Sequence, residues 1–400
     1  MSATDKARFY LEQSVPELRE LERKEIFKRE EITAIAKKRS EFEHILNARG
    51  SQPADYARYA EYEMNLEALR KKRVKRMGIK AGGHSGQRRI FFILDRATRK
   101  FHGDLGLWMQ YIEYARKEKA NKKLEQILTS LLRMHPTKPE LWIYAARYAT
   151  DAQADMTGAR GYMQRGLRFC KSSKLLWLEY AKLEMIYVAK IAARRTILGL
   201  DQERKPKKTQ TEDDTADDMI ALPEITAEDI DPSLAKDAPV DDVALQNLAS
   251  TPVLTGAIPM AVFDAAMQNF NNASSVGEQF FDMFAEFEKT PCMRTLLQHV
   301  LEYLQTNTPT DLATQSCYWR LPLVGVDTSS PDFPRALGTC LERIKESMAS
   351  SEKKPAVATK AIALLLPLLD AEELDANIRK VLNASLRQFR RNLDQEITTK

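Results

Sequence analysis

Leu176-Trp177-Leu178-Glu179-Tyr180-Ala181-Lys182-Leu183-Glu184 carries an aromatic, a second aromatic three residues on, and an acid four residues after that. Steps of three and four place Trp177, Tyr180 and Glu184 on one helix face. There the rings pack on a preceding helix and the acid reaches a neighbouring donor. Tyr56, Tyr59 and Glu63 repeat the pattern, and Phe281, Phe284 and Glu288 give it once more. Trp108 and Tyr111 keep the aromatic pair but put Ala115 at the acid position, and Trp142 keeps only the first ring, followed by Ala145 and Ala149. The dipeptides Leu107-Trp108, Leu141-Trp142 and Leu176-Trp177 recur at spacings of 34 and 35 residues. That is the length of one helix–turn–helix unit, and it predicts an all-α fold, an α-solenoid.

Outward from these anchors the helical period continues. Second helices are expected over Ile90 to Phe101, Leu124 to Met134 and Ala159 to Phe169, with His135-Pro136 ending one of them. Towards the start, Val15-Pro16-Glu17-Leu18 reads as a helix opening, and Ile32, Ile35, Phe42, Ile45 and Leu46 share one face before Gly50-Ser51-Gln52-Pro53. Towards the end, helices are expected over Ile258 to Phe270, Met293 to Leu304, around Cys317 to Trp319, Ala336 to Met348, Pro355 to Leu369 and Asp375 to Leu393. The chain thus divides into an N-terminal helical region (1–83), repeats (84–200), a linker (201–250) and C-terminal helical repeats (251–400). From Thr209 to Leu245 there are twelve acids, one lysine (Lys236), three prolines and no aromatic residue, a composition expected to be disordered.

Composition excludes several classes. The 400 residues are 44% hydrophobic with only 15 glycines, which suits helices better than turn-rich enzyme folds. The longest apolar run, Ala361 to Leu369, contains Pro367 and is far short of a membrane span. Met1 to Tyr10 is polar and predicts no secretory signal. Four dispersed cysteines (Cys170, Cys292, Cys317, Cys340) argue for a reducing compartment rather than a disulfide or zinc framework. Gly82-Gly83-His84-Ser85-Gly86 has Gln87 where a nucleophile elbow needs glycine, and no phosphate-loop, dinucleotide or H-E-x-x-H motif occurs. Glu61 and Glu63 sit two apart on a helix and cannot converge. No catalytic residue, cofactor or metal ligand is expected.

Charge supplies the candidate site. Residues 1–200 hold 41 Lys and Arg against 24 Asp and Glu; residues 201–400 hold 20 against 32. Arg70, Lys71, Lys72, Arg73, Lys75 and Arg76 put six cations in seven residues, followed by Arg88 and Arg89. No acid lies within the run to neutralise it, so phosphate contact with counterion release is one reading. A nuclear import signal, an acidic protein partner and a solvated helix face are the others. Arg204, Lys205, Lys207 and Lys208 form a shorter basic run suited to import. The repeat aromatics could stack bases, but their spacing and recurrence are those of a solenoid core.

The aromatic-x2-aromatic-x3-Glu helices resemble HAT (half-a-TPR) repeats. Phe9-Tyr10-Leu11-Glu12-Gln13, Val15-Pro16-Glu17-Leu18, Lys37-Lys38-Arg39-Ser40-Glu41-Phe42-Glu43 and Tyr59-Ala60-Glu61-Tyr62-Glu63-Met64-Asn65-Leu66 leading into Arg70 to Arg76 resemble the N-terminal signature of the HAT-repeat subunits of the UtpB subcomplex of the small-subunit processome. The resemblance implies a nucleolar, non-enzymatic scaffold in ribosome biogenesis. Its implied partners are tandem β-propeller (WD40) proteins, pre-rRNA and the U-three box C/D snoRNP. A HAT scaffold of splicing or mRNA 3′-end formation is the alternative.

Overall fold

The computed structural model describes residues 3–79, 84–197, 252–350, 354–369 and 374–397. They form α1 (Ala3–Glu12), α2 (Val15–Arg23), α3 (Arg29–Asn47), α4 (Pro53–Met77), α5 (Ser85–Lys100), α6 (Leu105–Lys117), α7 (Asn121–Met134), α8 (Pro139–Ala152), α9 (Met156–Phe169) and α10 (Lys174–Ile197). After a short 3-10 turn (Pro252–Thr255) come α11 (Ala257–Asn269), α12 (Ser274–Ala285), α13 (Met293–Asn307), α14 (Leu312–Arg320), α15 (Phe333–Ser350), α16 (Lys354–Leu369) and α17 (Ala376–Ile397). No strand occurs among the described residues. The acidic stretch from Thr209 to Leu245, with Arg204, Lys205, Lys207 and Lys208 beside it, lies outside them.

Two compact units divide at Leu141 and Trp142, so α8 spans the boundary. In the first, α1 packs on α3, α3 on α4, α4 on α5, α5 on α6 and α6 on α7. In the second, α9 packs on α10, α10 on α11 and α12, and α12 on α13 and α14. There α14 packs on α15, α15 on α16 and α16 on α17. These contacts join helices one or two places apart in the chain, as in the all-α solenoid the repeats predict.

The repeat period is visible in the backbone. Helices α6, α8 and α10 open at Leu105, Pro139 and Lys174, at the same spacings as the three Trp residues. Trp108 Nε1 donates to the His102 carbonyl at 2.9 Å, and Trp177 Nε1 donates to the Lys171 carbonyl at 3.2 Å, each six residues back. The indoles therefore tie each helix to the turn before it while their rings fill the interface. Trp108, Tyr111 and Trp142 are buried, Tyr180 likewise, and Trp177 is half-buried. Trp142 stacks on Phe169 with centroids 5.9 Å apart. A Cβ on Gly166 would stand 2.8 Å from Trp142 Cγ, so only glycine lets α9 approach the indole this closely.

Local chemistry sets the ends. Pro53 is the first residue of α4 rather than part of the stop after α3, and Gln52 N–H donates to Asp55 Oδ2 at 2.8 Å. Gly78, at φ +66°, closes α4 in the left-handed conformation that glycine adopts without cost. Asp104 caps α6, accepting from Gly106 N at 2.8 Å. The fourth aromatic pair departs from the pattern. Phe281 and Phe284 are buried in α12, but that helix ends at Ala285, and Glu288 is exposed in the turn beyond it. Pro291 disfavours continued helix and Thr290 Oγ1 donates to the Phe287 carbonyl at 2.8 Å, so Glu288 never reaches the shared face.

The C-terminal helices pack around Trp319, Phe333, Ile344, Leu365, Leu382 and Phe389, all buried. Trp319 Nε1 finds Ser347 Oγ at 2.7 Å, the hydrogen bond a buried indole needs. Burial pushes the Cys317 and Cys340 thiols up to about 12, leaving them neutral packing groups.

Candidate nucleic-acid interface

The basic run sits in the last two turns of α4, which is long enough (25 residues) to carry both the aromatic repeat face and the cations. The absence of acids inside the run did not leave it unneutralised. Acids arrive from other helices and from one turn upstream. Arg70 forks onto Glu67 with both bonds at 2.7 Å, and both side chains are buried. Arg73 forks onto Glu31 of α3 at 2.7 Å twice, donates to the Ile26 carbonyl at 3.0 Å and lies over the Phe27 ring. Lys71 reaches Glu118 at 2.9 Å, and Arg89 reaches Glu17 at 2.9 Å. Lys71, Arg73 and Arg89 tie separate elements together, and Arg70 is held within its own helix.

Arg73 and a backbone bond from Lys28 N–H lower the Glu31 carboxyl from its ordinary 4.5 to about 2. The hydrogen bond from Arg73 is the larger cause, so the pair stays charged through the neutral range.

The other four cations are different. Lys72, Lys75, Arg76 and Arg88 are exposed and have no acidic partner among the described residues. Lys72, Lys75 and Arg76 fall within about one turn of each other on the outward face of α4, since steps of three and four share a face. Arg88 stands on the outward face of α5, and α4 and α5 pack together. The sequence cluster of eight therefore resolves into four framework cations and four that face solvent.

The framework extends deeper than the cluster. Arg39 of α3 is 1% exposed and forks onto Glu63 of α4, 2% exposed, at 2.7 and 2.8 Å. A further contact to Glu17 is 3.4 Å long. Arg96 of α5 meets both Glu43 oxygens at 3.0 Å. Burial raises the Glu43 carboxyl despite that guanidinium. Buried residues of α3 are Ile35, Arg39, Glu43 and Leu46, whereas Ile45, read as part of the apolar face, is exposed. The sequence reading of α3 missed this charged stripe.

In the second unit Glu184 of α10 is 1% exposed and receives Arg160 of α9 with two bonds of 2.7 Å. Arg39 to Glu63 and Arg160 to Glu184 are both 24 residues apart. That equal spacing is the sequence signal that could have found the partner arginines. Where the acid position is alanine the arginine is absent too: Phe91 stands 24 residues before Ala115. Its ring packs on Tyr111 and Tyr114, with centroids 6.1 and 5.0 Å apart. Among the described residues, no group of three or more His, Cys, Asp or Glu side chains is gathered as a metal site would require.

Residues 11–93, which hold the Arg39–Glu63, Arg73–Glu31 and Arg89–Glu17 pairs and the basic run, match the model of the family described as U3 small nucleolar RNA-associated protein 6. The chain is similar to the U3 small nucleolar RNA-associated protein 6 of Schizosaccharomyces pombe, 37% identical over 235 residues, 56% of this chain and 48% of that protein. It is 31% identical over 185 residues to the Homo sapiens homologue, 45% of this chain and 31% of that protein. The Dictyostelium discoideum homologue is 25% identical over 322 residues, 77% of this chain and 51% of that protein. The chain spans about half or less of the length of the curated relatives it matches.

Proposed function

We infer, from the match of residues 11–93 to the model of the U3 small nucleolar RNA-associated protein 6 family, that this chain is a non-enzymatic helical scaffold in small nucleolar RNA-associated ribosome biogenesis. It acts in the nucleolus as part of the small-subunit processome. The family match carries the reading. The structure supports it with a helical array suited to holding other subunits and with four exposed cations, Lys72, Lys75, Arg76 and Arg88, that have no acidic partner among the described residues and are available to phosphates. Tandem β-propeller subunits of UtpB are the proposed protein partners, and pre-rRNA with the U-three box C/D snoRNP the proposed RNA. Arg204, Lys205, Lys207 and Lys208 are the proposed import signal.

Arg70, Lys71, Arg73 and Arg89 have a positioning part in this proposal. Arg73 and Lys71 fix α4 against α3 and the turn after α6, Arg89 fixes α5 against α2, and Arg70 pairs within α4, which together set the direction in which the free cations face. Affinity purification of the tagged chain at low salt tests the function. Pre-ribosomal RNA, a box C/D snoRNA and propeller subunits are expected in the eluate. Spliceosomal or mRNA 3′-end factors in their place would overturn the assignment.

A further inference from the structure

Two partly exposed phenylalanine rings flank Tyr10, one of them on the helix that also carries Arg88. Phe9 of α1 is 47% exposed and Phe92 of α5 is 40% exposed. Tyr10 bridges them, its centroid 5.6 Å from Phe9 and 5.3 Å from Phe92, so the three rings form one row across two helices. The row has a fixed base. The Arg96 guanidinium carbon lies 4.1 Å from the Tyr10 centroid and 5.3 Å from that of Phe92. Glu43 anchors that guanidinium through the two 3.0 Å bonds already described.

Each exposed ring has an exposed cation one turn before it on its own helix. Lys6 precedes Phe9 by three residues and Arg88 precedes Phe92 by four, spacings that put ring and cation on the same face. Neither Lys6 nor Arg88 has an acidic partner among the described residues. Nearby acids are committed: Glu12 to Arg8 at 3.0 Å and Asp95 to Arg99 at 2.8 Å.

We propose that Phe9, Tyr10 and Phe92 form a stacking platform for unpaired bases of single-stranded RNA, with Lys6 and Arg88 taking the adjoining phosphates. The inference rests on the RNA-associated reading above and deepens it by naming the residues that touch bases. An aromatic row accepts any base, because every base offers a π face, while cations at one-turn spacing follow the backbone. A duplex keeps its bases stacked internally and gains nothing from the rings. The rigid seat of Tyr10 on Arg96 means that little ordering of the platform is needed on binding.

The test measures fluorescence anisotropy of the full chain with a labelled single-stranded oligouridine and with a blunt RNA duplex of equal length, across a salt series. Phe9→Leu with Phe92→Leu keeps apolar area but removes the π faces. It should weaken single-strand binding by roughly ten-fold per ring, leave duplex binding unchanged and leave the salt slope unchanged. Phe92→Trp should bind at least as well as the parent, and melting curves confirm that each variant is folded. Parental affinity in the leucine double variant, or equal loss on duplex and single strand, would overturn the platform. If Lys72→Gln with Lys75→Gln and Arg76→Gln then still flattens the salt slope, the broader RNA-contact reading survives that failure. If neither oligonucleotide binds at low salt, both fall.

Discussion

The α3–α4 pair and the α5–α6 pair meet the same packing demand with opposite chemistry. Both use a side chain on one helix, 24 residues before the acid position of the repeat, to make a contact with the next helix. In α3–α4 that contact is Arg39 with Glu63, two full charges removed from water and satisfied by a forked bond. In α5–α6 it is Phe91 beside Tyr111 and Tyr114, with buried Ala115 at the acid position in place of a charge. The α9–α10 pair returns to the ionic form with Arg160 and Glu184. An ion pair of this kind adds little net stability over a well-packed apolar contact, because desolvation offsets the attraction. It does fix register, since a fork accepts one alignment and an aromatic contact accepts several.

The largest expected effect comes from breaking the ionic contact on one side. Glu63→Ala leaves Arg39 buried with only the 3.4 Å contact to Glu17, and should cost about 3–5 kcal/mol in chemical denaturation. Combining it with Arg39→Phe copies the Phe91 and Ala115 arrangement and should recover most of that loss. A double variant as unstable as the single one would show that the two contacts are not equivalent.

Aromatic truncation comes next. Trp108→Ala should cost about 3–5 kcal/mol. Trp177→Ala should cost clearly less, because its indole is half-buried where that of Trp108 is buried. Equal losses in thermal melts would argue that exposure does not govern these anchors. Gly166→Ala, which drives a methyl into Trp142, should cost about 1–3 kcal/mol by overpacking.

The smallest effect is the pH dependence of the Glu31–Arg73 pair, which is partly exposed and worth about 0.5 kcal/mol. The Glu31 carboxyl is lowered from 4.5 to about 2, so its stabilisation is complete above about 4.5 and fades as pH falls towards 2. The gap in urea midpoint between the parent and Glu31→Gln should therefore narrow from pH 5 to pH 3. Glu43 is shifted the other way by burial, so its own contribution declines as pH rises through its titration.

How far the sequence reveals these features depends on what periodicity encodes. The recurrence of Leu-Trp fixed the repeat length, and the backbone openings at Leu105, Pro139 and Lys174 keep it. Periodicity counts apolar residues, so it assigned Ile45 to the buried face of α3 and passed over Arg39 and Glu43, which occupy it. A buried charge is intelligible only with its partner, and the partner lies on another helix. The same reason explains the basic run. Local inspection found no acid inside residues 70–76, while Glu31 and Glu118 come from 42 and 47 residues away. Glu288 failed for a local reason, the helix end before Pro291, which a count of spacings ignores.

The division of the basic run into framework and free cations is tested most directly by the salt dependence of RNA binding in two variants. One carries Lys72→Gln, Lys75→Gln, Arg76→Gln and Arg88→Gln; the other carries Lys71→Gln, Arg73→Gln and Arg89→Gln. The free set should lose affinity and lower the slope of log K against log salt by about 0.7 for each phosphate contact removed on a single strand. The framework set should lose thermal stability while folded protein keeps the parental slope. A flattened slope in the framework variant, with the free variant unchanged, would contradict the division.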